Sequence, residues 1–283
     1  MNTSAEVDAA RLLPGVVAAV QVAALPVMDR FQSSPVTWAK DEQGRRTKVE
    51  GAAQDIRNPV TEADLEADKV LREHLQRLLP EAAWLSEESA DDPVRLSARY
   101  VWVVDPIDGT REYVAGIPEF AISVALVDGG IPLLAVLYNP ATEDLFTAVR
   151  GQGAWRNGAA CQITASSSFD EAILLASRSE IRRGEFARFA ERMQVRAMGS
   201  TAWKLALLAG GEGQVYFTRK PRNEWDVAAG VLLCSEAGAR VTDLGGDEHR
   251  FNRVDTRCRG VVAVQPQWYS KVFAWIQEVG TLE

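Results

Sequence analysis

The chain predicts an α+β protein, an antiparallel sheet subdomain followed by a mixed α/β subdomain. Three observations carry that prediction. Phe120, Ile122, Val124 and Leu126 alternate with Ala121, Ser123 and Ala125, and the turn Asp128-Gly129-Gly130 leads into an apolar return strand over 131–138. In the second half, short apolar runs at 172–176, 195–198, 215–218 and 261–264 are separated by helical stretches. The change of pattern falls near residues 155–165, which predicts one unit over 1–158 and another over 159–283, with the natural ligand site in the cleft between them.

Taken in order, residues 7–30 read as an amphipathic helix packed on the main body. Glu6 and Asp8 precede its apolar stretch and Arg11, Pro14 and Gln21 interrupt it, which argues against a signal peptide. No uncharged apolar run reaches about 18 residues, so no membrane-spanning helix is expected. Residues 32–58 are polar, with Lys40, Asp41, Glu42, Arg45, Arg46 and Lys48 close together, and read as a loop or hairpin. A helix follows from Glu62 to about Leu79, because Ala67, Leu71, Leu75 and Leu78 recur at helical spacing and Pro80 ends it. The run 100–104 reads as a strand, 144–149 adds another to the hairpin, and glycines at 151, 153 and 158 mark turns. Two later helices, from Ser200 to about Ala209 and from Trp225 to Ala237, are closed by Gly210-Gly211 and by Gly238.

With 283 residues, 47% apolar and 25% charged, the chain is long enough and apolar enough to bury a substantial core. Its net charge of -8 and pI of about 5.1 argue against binding a nucleic-acid polymer. Cys161, Cys234 and Cys258 are widely spaced and form no CxxC or Cys/His cluster, so neither a zinc site nor a disulfide framework is expected. A reduced cytoplasm is the expected compartment, with peripheral inner-membrane association left open. His74 and His249 are the only histidines, so catalysis has few histidine bases to draw on. There is no GxxxxGK[ST] phosphate loop.

The chemistry concentrates in Asp105-Pro106-Ile107-Asp108-Gly109-Thr110, delivered at the carboxyl end of the 100–104 strand, where open α/β sheets place ligands. Two carboxylates, a carbonyl and a hydroxyl are hard oxygen donors that suit Mg²⁺ rather than zinc or copper. A turn needs Asp-Gly but neither the second acid nor the threonine. Three further acidic segments join it: Ser86-Glu87-Glu88-Ser89, Trp225-Asp226 at a helix start, and Thr61-Glu62-Ala63-Asp64. Singly, these also read as a solvated loop, an N-cap and a capping box.

In order, these segments, together with Gly199-Ser200-Thr201-Ala202 and Trp225-Asp226-Val227-Ala228-Ala229-Gly230, resemble the inositol monophosphatase superfamily over about residues 55–264. The resemblance implies a layered αβαβα sugar-phosphatase fold and hydrolysis of a small-molecule phosphate ester by a monomer or homodimer. It also implies two or three Mg²⁺ ions. Glu87, Asp105 and the Ile107 carbonyl would hold one; Asp105, Asp108 and Asp226 would hold a second; a weaker third would lean on Glu87. Asp64, paired with Thr110, would orient the attacking water, and Glu87 would share the catalytic role. Amides near Gly109 and Thr110 would meet the phosphate, and Gly199, Ser200, Thr201 and Asp226 would line the substrate. Lithium inhibition comes with the same resemblance.

For the ester itself, Gly109-Thr110-Arg111-Glu112-Tyr113, Pro118-Glu119-Phe120 and Asn223-Glu224-Trp225-Asp226 resemble the 3'(2'),5'-bisphosphate nucleotidase (CysQ-type) branch. Tyr138-Asn139-Pro140 and Gly151-Gln152-Gly153-Ala154 are similar to inositol monophosphatases. The nucleotidase is the preferred expectation, with inositol-1-monophosphatase or fructose-1,6-bisphosphatase-like activity as the alternative. A catalytically silent phosphate-ligand protein is the rival of another class. A second phosphate needs a second anion site. Arg178, Arg182, Arg183, Lys220 and Arg222 are available for it, with Lys220 and Arg222 first because they lie just before Asp226.

Overall fold

A computed structural model describes residues 6–33, 35–41, 45–48, 59–164 and 168–280. Its core is a seven-stranded sheet in the order Ala159–Ala160, Ala154–Arg156, Asp144–Val149, Ile131–Asn139, Ala121–Asp128, Tyr100–Asp108, Ala83–Ser86. All neighbours are antiparallel except the last pair, which is parallel. The strand alternation buries both faces. Tyr100, Trp102, Val104, Ile122, Val124 and Leu126 meet helices Ala9–Arg30 and Glu62–Leu78. Val101, Val103, Ala121, Ala125, Ala135 and Ala148 meet helices Thr201–Ala209 and Glu224–Glu236. On that second face Ala125 pairs with Ala135, and Ala135 with Ala148, so three small side chains abreast give a helix room to lie close.

The same two helices cover a five-stranded mixed sheet, ordered Gln194–Met198, Ile173–Ser177, Val215–Thr218, Val261–Val264, Arg240–Thr242. Its outer face carries helices Ala187–Ala190 and Tyr269–Gly280 around Phe189, Phe217 and Ile276. Helices and sheets therefore stack in five layers, αβαβα.

The structure refines several expectations. The first helix runs Ala9–Arg30 and is capped by Asp8, which accepts from the Arg11 amide at 3.1 Å. By length and composition alone it is apolar enough for a membrane span, as a buried core helix also can be. Gln21 is uncharged and the prolines do not break the helix, so the apolar stretch reads through. Val16, Val20, Ala23 and Val27 nevertheless face the protein core. The polar region contains a hairpin, Thr37–Lys40 with Arg46–Lys48, whose first strand also pairs with Pro59–Thr61; residues 42–44 and 49–58 lie outside the described residues. The 100–104 strand continues to Asp108 through an irregular register: Asp105 pairs with Ser123, but Asp108 with Ala121. Pro106 and Ile107 thus oppose Ile122 alone, a bulge.

Candidate active site

In a regular strand, residues three apart point to opposite faces. The bulge at Pro106-Ile107 adds the residue that turns Asp108 to the side Asp105 faces. Gly109 follows with φ +100, and a Cβ there would lie 2.8 Å from the Glu119 carbonyl oxygen, so only glycine fits this turn. The helix it opens, Thr110–Val114, is a single short turn, so the amides near Gly109 and Thr110 have only a small dipole behind them.

Glu87 arrives from the end of strand Ala83–Ser86 and Asp226 from the first turn of helix Glu224–Glu236. With Asp105 they bring carboxylate oxygens within 4.8 Å of one another. Asp105 is 1% exposed; its Oδ1 accepts from the Ile107 amide at 3.0 Å, while its buried Oδ2 has no partner. An orphaned buried carboxylate oxygen facing two other acids is costly unless a cation completes it. Oxygen donors only, closely spaced, fit a hard divalent ion. Burial, then the neighbouring carboxylates, hold Asp105 and Asp226 well above the usual carboxylate range.

Asp108 lies beside this cluster; its Oδ2 accepts from the Ser200 hydroxyl at 2.6 Å and the Ala202 amide at 2.5 Å. Asp64 is buried in a capping box, its Oδ2 accepting from the Thr61 amide and hydroxyl at 2.8 and 2.6 Å. The Thr110 hydroxyl lies 3.2 Å from Asp64 Oδ1 and 3.0 Å from the Ile107 carbonyl. Burial, then Glu88, pushes Asp64 up to about 8 against the two Thr61 bonds.

A cavity of about 440 Å³ joins these groups. Its lining includes the acidic groups Glu87, Asp108, Glu112 and Asp226, the basic groups Arg178, Arg182, Lys204 and Arg222, and Ile107, Gly109, Thr110, Gly199, Ser200 and Thr201. Basic side chains therefore share the cavity with the acids, which gives an acidic chain local positive charge to admit an anion. Arg222 leaves its buried Nε without a partner and stands 3.8 Å from Glu180. Lys220 is exposed and does not line the cavity, and neither does Arg183.

Sequence reasoning missed three features. Lys40, on the hairpin, donates to the Glu87 carbonyl at 2.9 Å and to Glu88 at 2.8 Å, and Arg46 binds Glu88 at 3.0 Å. Burial opposes the Lys40 charge, but Glu87 and Glu88 outweigh it and raise its pKa. Lys204, inside an apolar helical pattern, is 2% exposed and pushed down to about 8 by burial, with Arg222 adding to the effect. Glu119 accepts from Arg178 at 2.7 Å and from the Gly199 amide at 2.8 Å, tying the segment after strand Ile173–Ser177 to the bulged strand's neighbour. Clustered basic residues before 49 were a signal for the first; an isolated lysine in an apolar helix was a signal for the second.

The inositol monophosphatase family model matches residues 8–281. Inositol-1-monophosphatase of Rhizobium meliloti is 35% identical over 195 residues, 66% of this chain and 73% of its own length. The 3'(2'),5'-bisphosphate nucleotidase CysQ of Escherichia coli is also 35% identical over 195 residues, 67% of this chain and 78% of its own. Among solved structures, an IMPase of Thermotoga maritima covers 95% of this chain and 98% of its own at 25% identity, with a TM-score of 0.80.

Proposed function

Because the chain belongs to the inositol monophosphatase family, we propose that it is a Mg²⁺-dependent phosphomonoester hydrolase that removes the 3'-phosphate of a 3',5'-bisphosphate nucleotide. The observation that carries this is the unpartnered Asp105 oxygen within a carboxylate cluster whose other members, Glu87 and Asp226, line a cavity shared with Arg178, Arg182 and Arg222. Glu87, Asp105, the Ile107 carbonyl, Asp108 and Asp226 are the donors for two or three ions. Held by these donors, Mg²⁺ would supply positive charge to the ester and acidify water at the site.

The chain's own groups do the rest. Thr110 and Asp64 form the hydrogen-bonded pair that orients the attacking water, and Asp64, raised to about 8, is suited to hold its proton near neutral pH. Phosphoryl transfer asks mainly for positioning and charge stabilisation, so no covalent intermediate on the protein is required. Arg178, Arg182 and Arg222 offer the second anion site a bisphosphate needs. In this reading the chain is organised as two units, 1–158 and 159–283, with the ester held between them. Lithium competes for the same hard oxygens in this scheme.

Inositol 1-phosphate is the second reading, because the inositol-1-monophosphatase relative is as similar as the nucleotidase. A panel of adenosine 3',5'-bisphosphate, inositol 1-phosphate and fructose 1,6-bisphosphate with Mg²⁺ separates them. The expected order of kcat/KM puts the nucleotide first, and Asp105→Asn abolishes phosphate release. A preference for inositol 1-phosphate favours the second reading; no release from any ester overturns both.

A further inference from the structure

Every residue of helix Thr201–Ala209 is buried, and one of them carries a charge. A buried ammonium is expensive unless its protons are accepted. Among the described residues no carboxylate lies within ion-pair distance of Lys204. Its Nζ instead donates to the carbonyls of Gly199, at 3.0 Å, and Ser200. These belong to the turn just before its own helix.

That turn is strained. Ser200 has φ 51 and ψ 130, a conformation that costs a non-glycine residue about 1–3 kcal/mol. It is clamped on three sides. Lys204 holds the two carbonyls, Glu119 accepts the Gly199 amide, and the Glu112 side chain fills the space where a Gly199 Cβ would stand, 2.1 Å from its Cδ. The strained backbone sets the Ser200 hydroxyl between two partners: it donates to Asp108 Oδ2 at 2.6 Å and accepts from the Trp203 amide at 2.9 Å. With the Ala202 amide on the same Asp108 oxygen, one oxygen of that carboxylate is fully engaged and its plane is fixed.

We infer that Lys204 is a positioning residue for the cation site: it holds the Gly199–Ser200 turn in its left-handed conformation, and through Ser200 it orients Asp108 toward the ion. The inference rests on the reading of Asp108 as a cation ligand. Outer groups that orient a ligand change metal affinity by about 10- to 100-fold when removed.

The test uses Mn²⁺ as the probe, with its dissociation constant read by electron paramagnetic resonance on the full chain without substrate. Lys204→Met is expected to weaken Mn²⁺ binding about tenfold, and Ser200→Ala by a similar factor. The double variant is expected to bind no more weakly than Ser200→Ala alone, because the two residues act in series. Lys204→Gln, which keeps an N–H donor group without the charge, recovers part of the loss. Lys204→Met affinity within twofold of the parent protein overturns the inference, and so does a double-variant loss equal to the product of the single losses. Should Lys204→Met fail to fold, Lys204→Gln takes its place in the same cycle. Asp105→Asn is the control: if it leaves Mn²⁺ binding intact, the cation-site reading itself falls; if it abolishes binding while Lys204 proves indifferent, only the positioning role falls.

Discussion

Arg222 and Lys220 stand two residues apart and meet different surroundings. Arg222 is half-buried in the lining of the cavity, with Thr218 and Glu180 nearby and its Nε unpartnered, while Lys220 is exposed. A charge-assisted hydrogen bond in a partly desolvated cleft contributes about 1.5–3 kcal/mol, or roughly 10- to 100-fold in affinity. Arg222→Ala is therefore expected to lower kcat/KM for adenosine 3',5'-bisphosphate by about that factor, with a much smaller loss on inositol 1-phosphate. Lys220→Ala should stay within about twofold on both, since exposed charges contribute little. Equal losses on both esters for Arg222→Ala would count against a second-phosphate role. The sequence brought Lys220 forward on chain proximity to Asp226, which says nothing of side-chain direction. The cluster acids were legible because their residue types and spacing serve no structural end well. Lys40 and Lys204 were not, since one depends on how a hairpin folds back and the other on a turn five residues upstream.

At the scale of elements, periodicity located the helices Ala9–Arg30, Glu62–Leu78, Thr201–Ala209 and Glu224–Glu236 to within a residue or two, but not the last helix, Tyr269–Gly280, or the short helices before it. Helix Glu62–Leu78 was readable from its leucines and its Thr61/Asp64 cap, and helix Glu224–Glu236 from the acid at its start and Gly238 at its end. The bulge that turns Asp108 was not readable, because an extra residue in one strand shows only against its partner. Neither was the closeness of the two central helices. Gly230 sits where they cross, and a Cβ there would lie 2.5 Å from Leu205 Cδ1 and 2.6 Å from Leu205 Cβ. Gly230→Ala gains about 0.8–1 kcal/mol of helix propensity. Overpacking at a site this tight costs about 1–3 kcal/mol, and the Leu205 Cβ cannot swing aside as a side-chain tip could. A net fall in melting temperature of several degrees is expected in thermal unfolding. Because the same helix carries Asp226 in its first turn, Mg²⁺ affinity should fall as well. A variant as stable as the parent would mean the helices part at little cost.

For the whole molecule, the five layers follow from strands apolar on both faces, and the layers bring buried Asp105 together with half-buried Glu87 and Asp226. Without a cation, those acids are held in the folded state by protons. Burial pushes Asp64 up to about 8 and Glu224 to about 7, and it raises Asp105, Asp226 and Glu87. In the unfolded chain the same carboxyls ionise near about 4. Between those limits the folded, cation-free protein keeps protons that the unfolded chain has released. Its stability therefore falls as pH rises from about 4 to about 8. Magnesium replaces the protons and releases them as it binds, so its stabilising effect grows over the same window. In EDTA the melting temperature should be lower at pH 8 than at pH 6, and excess Mg²⁺ should raise it more at pH 8 than at pH 6. Glu224 accepts the Asn252 and Arg253 amides away from the cluster, so its share of the slope should persist with Mg²⁺ present. Asp105→Asn, which removes one titrating acid, should flatten the EDTA slope and shrink the Mg²⁺ shift at pH 8 together. Equal Mg²⁺ shifts at both pH values would mean that the clustered acids are not what couples folding to the cation.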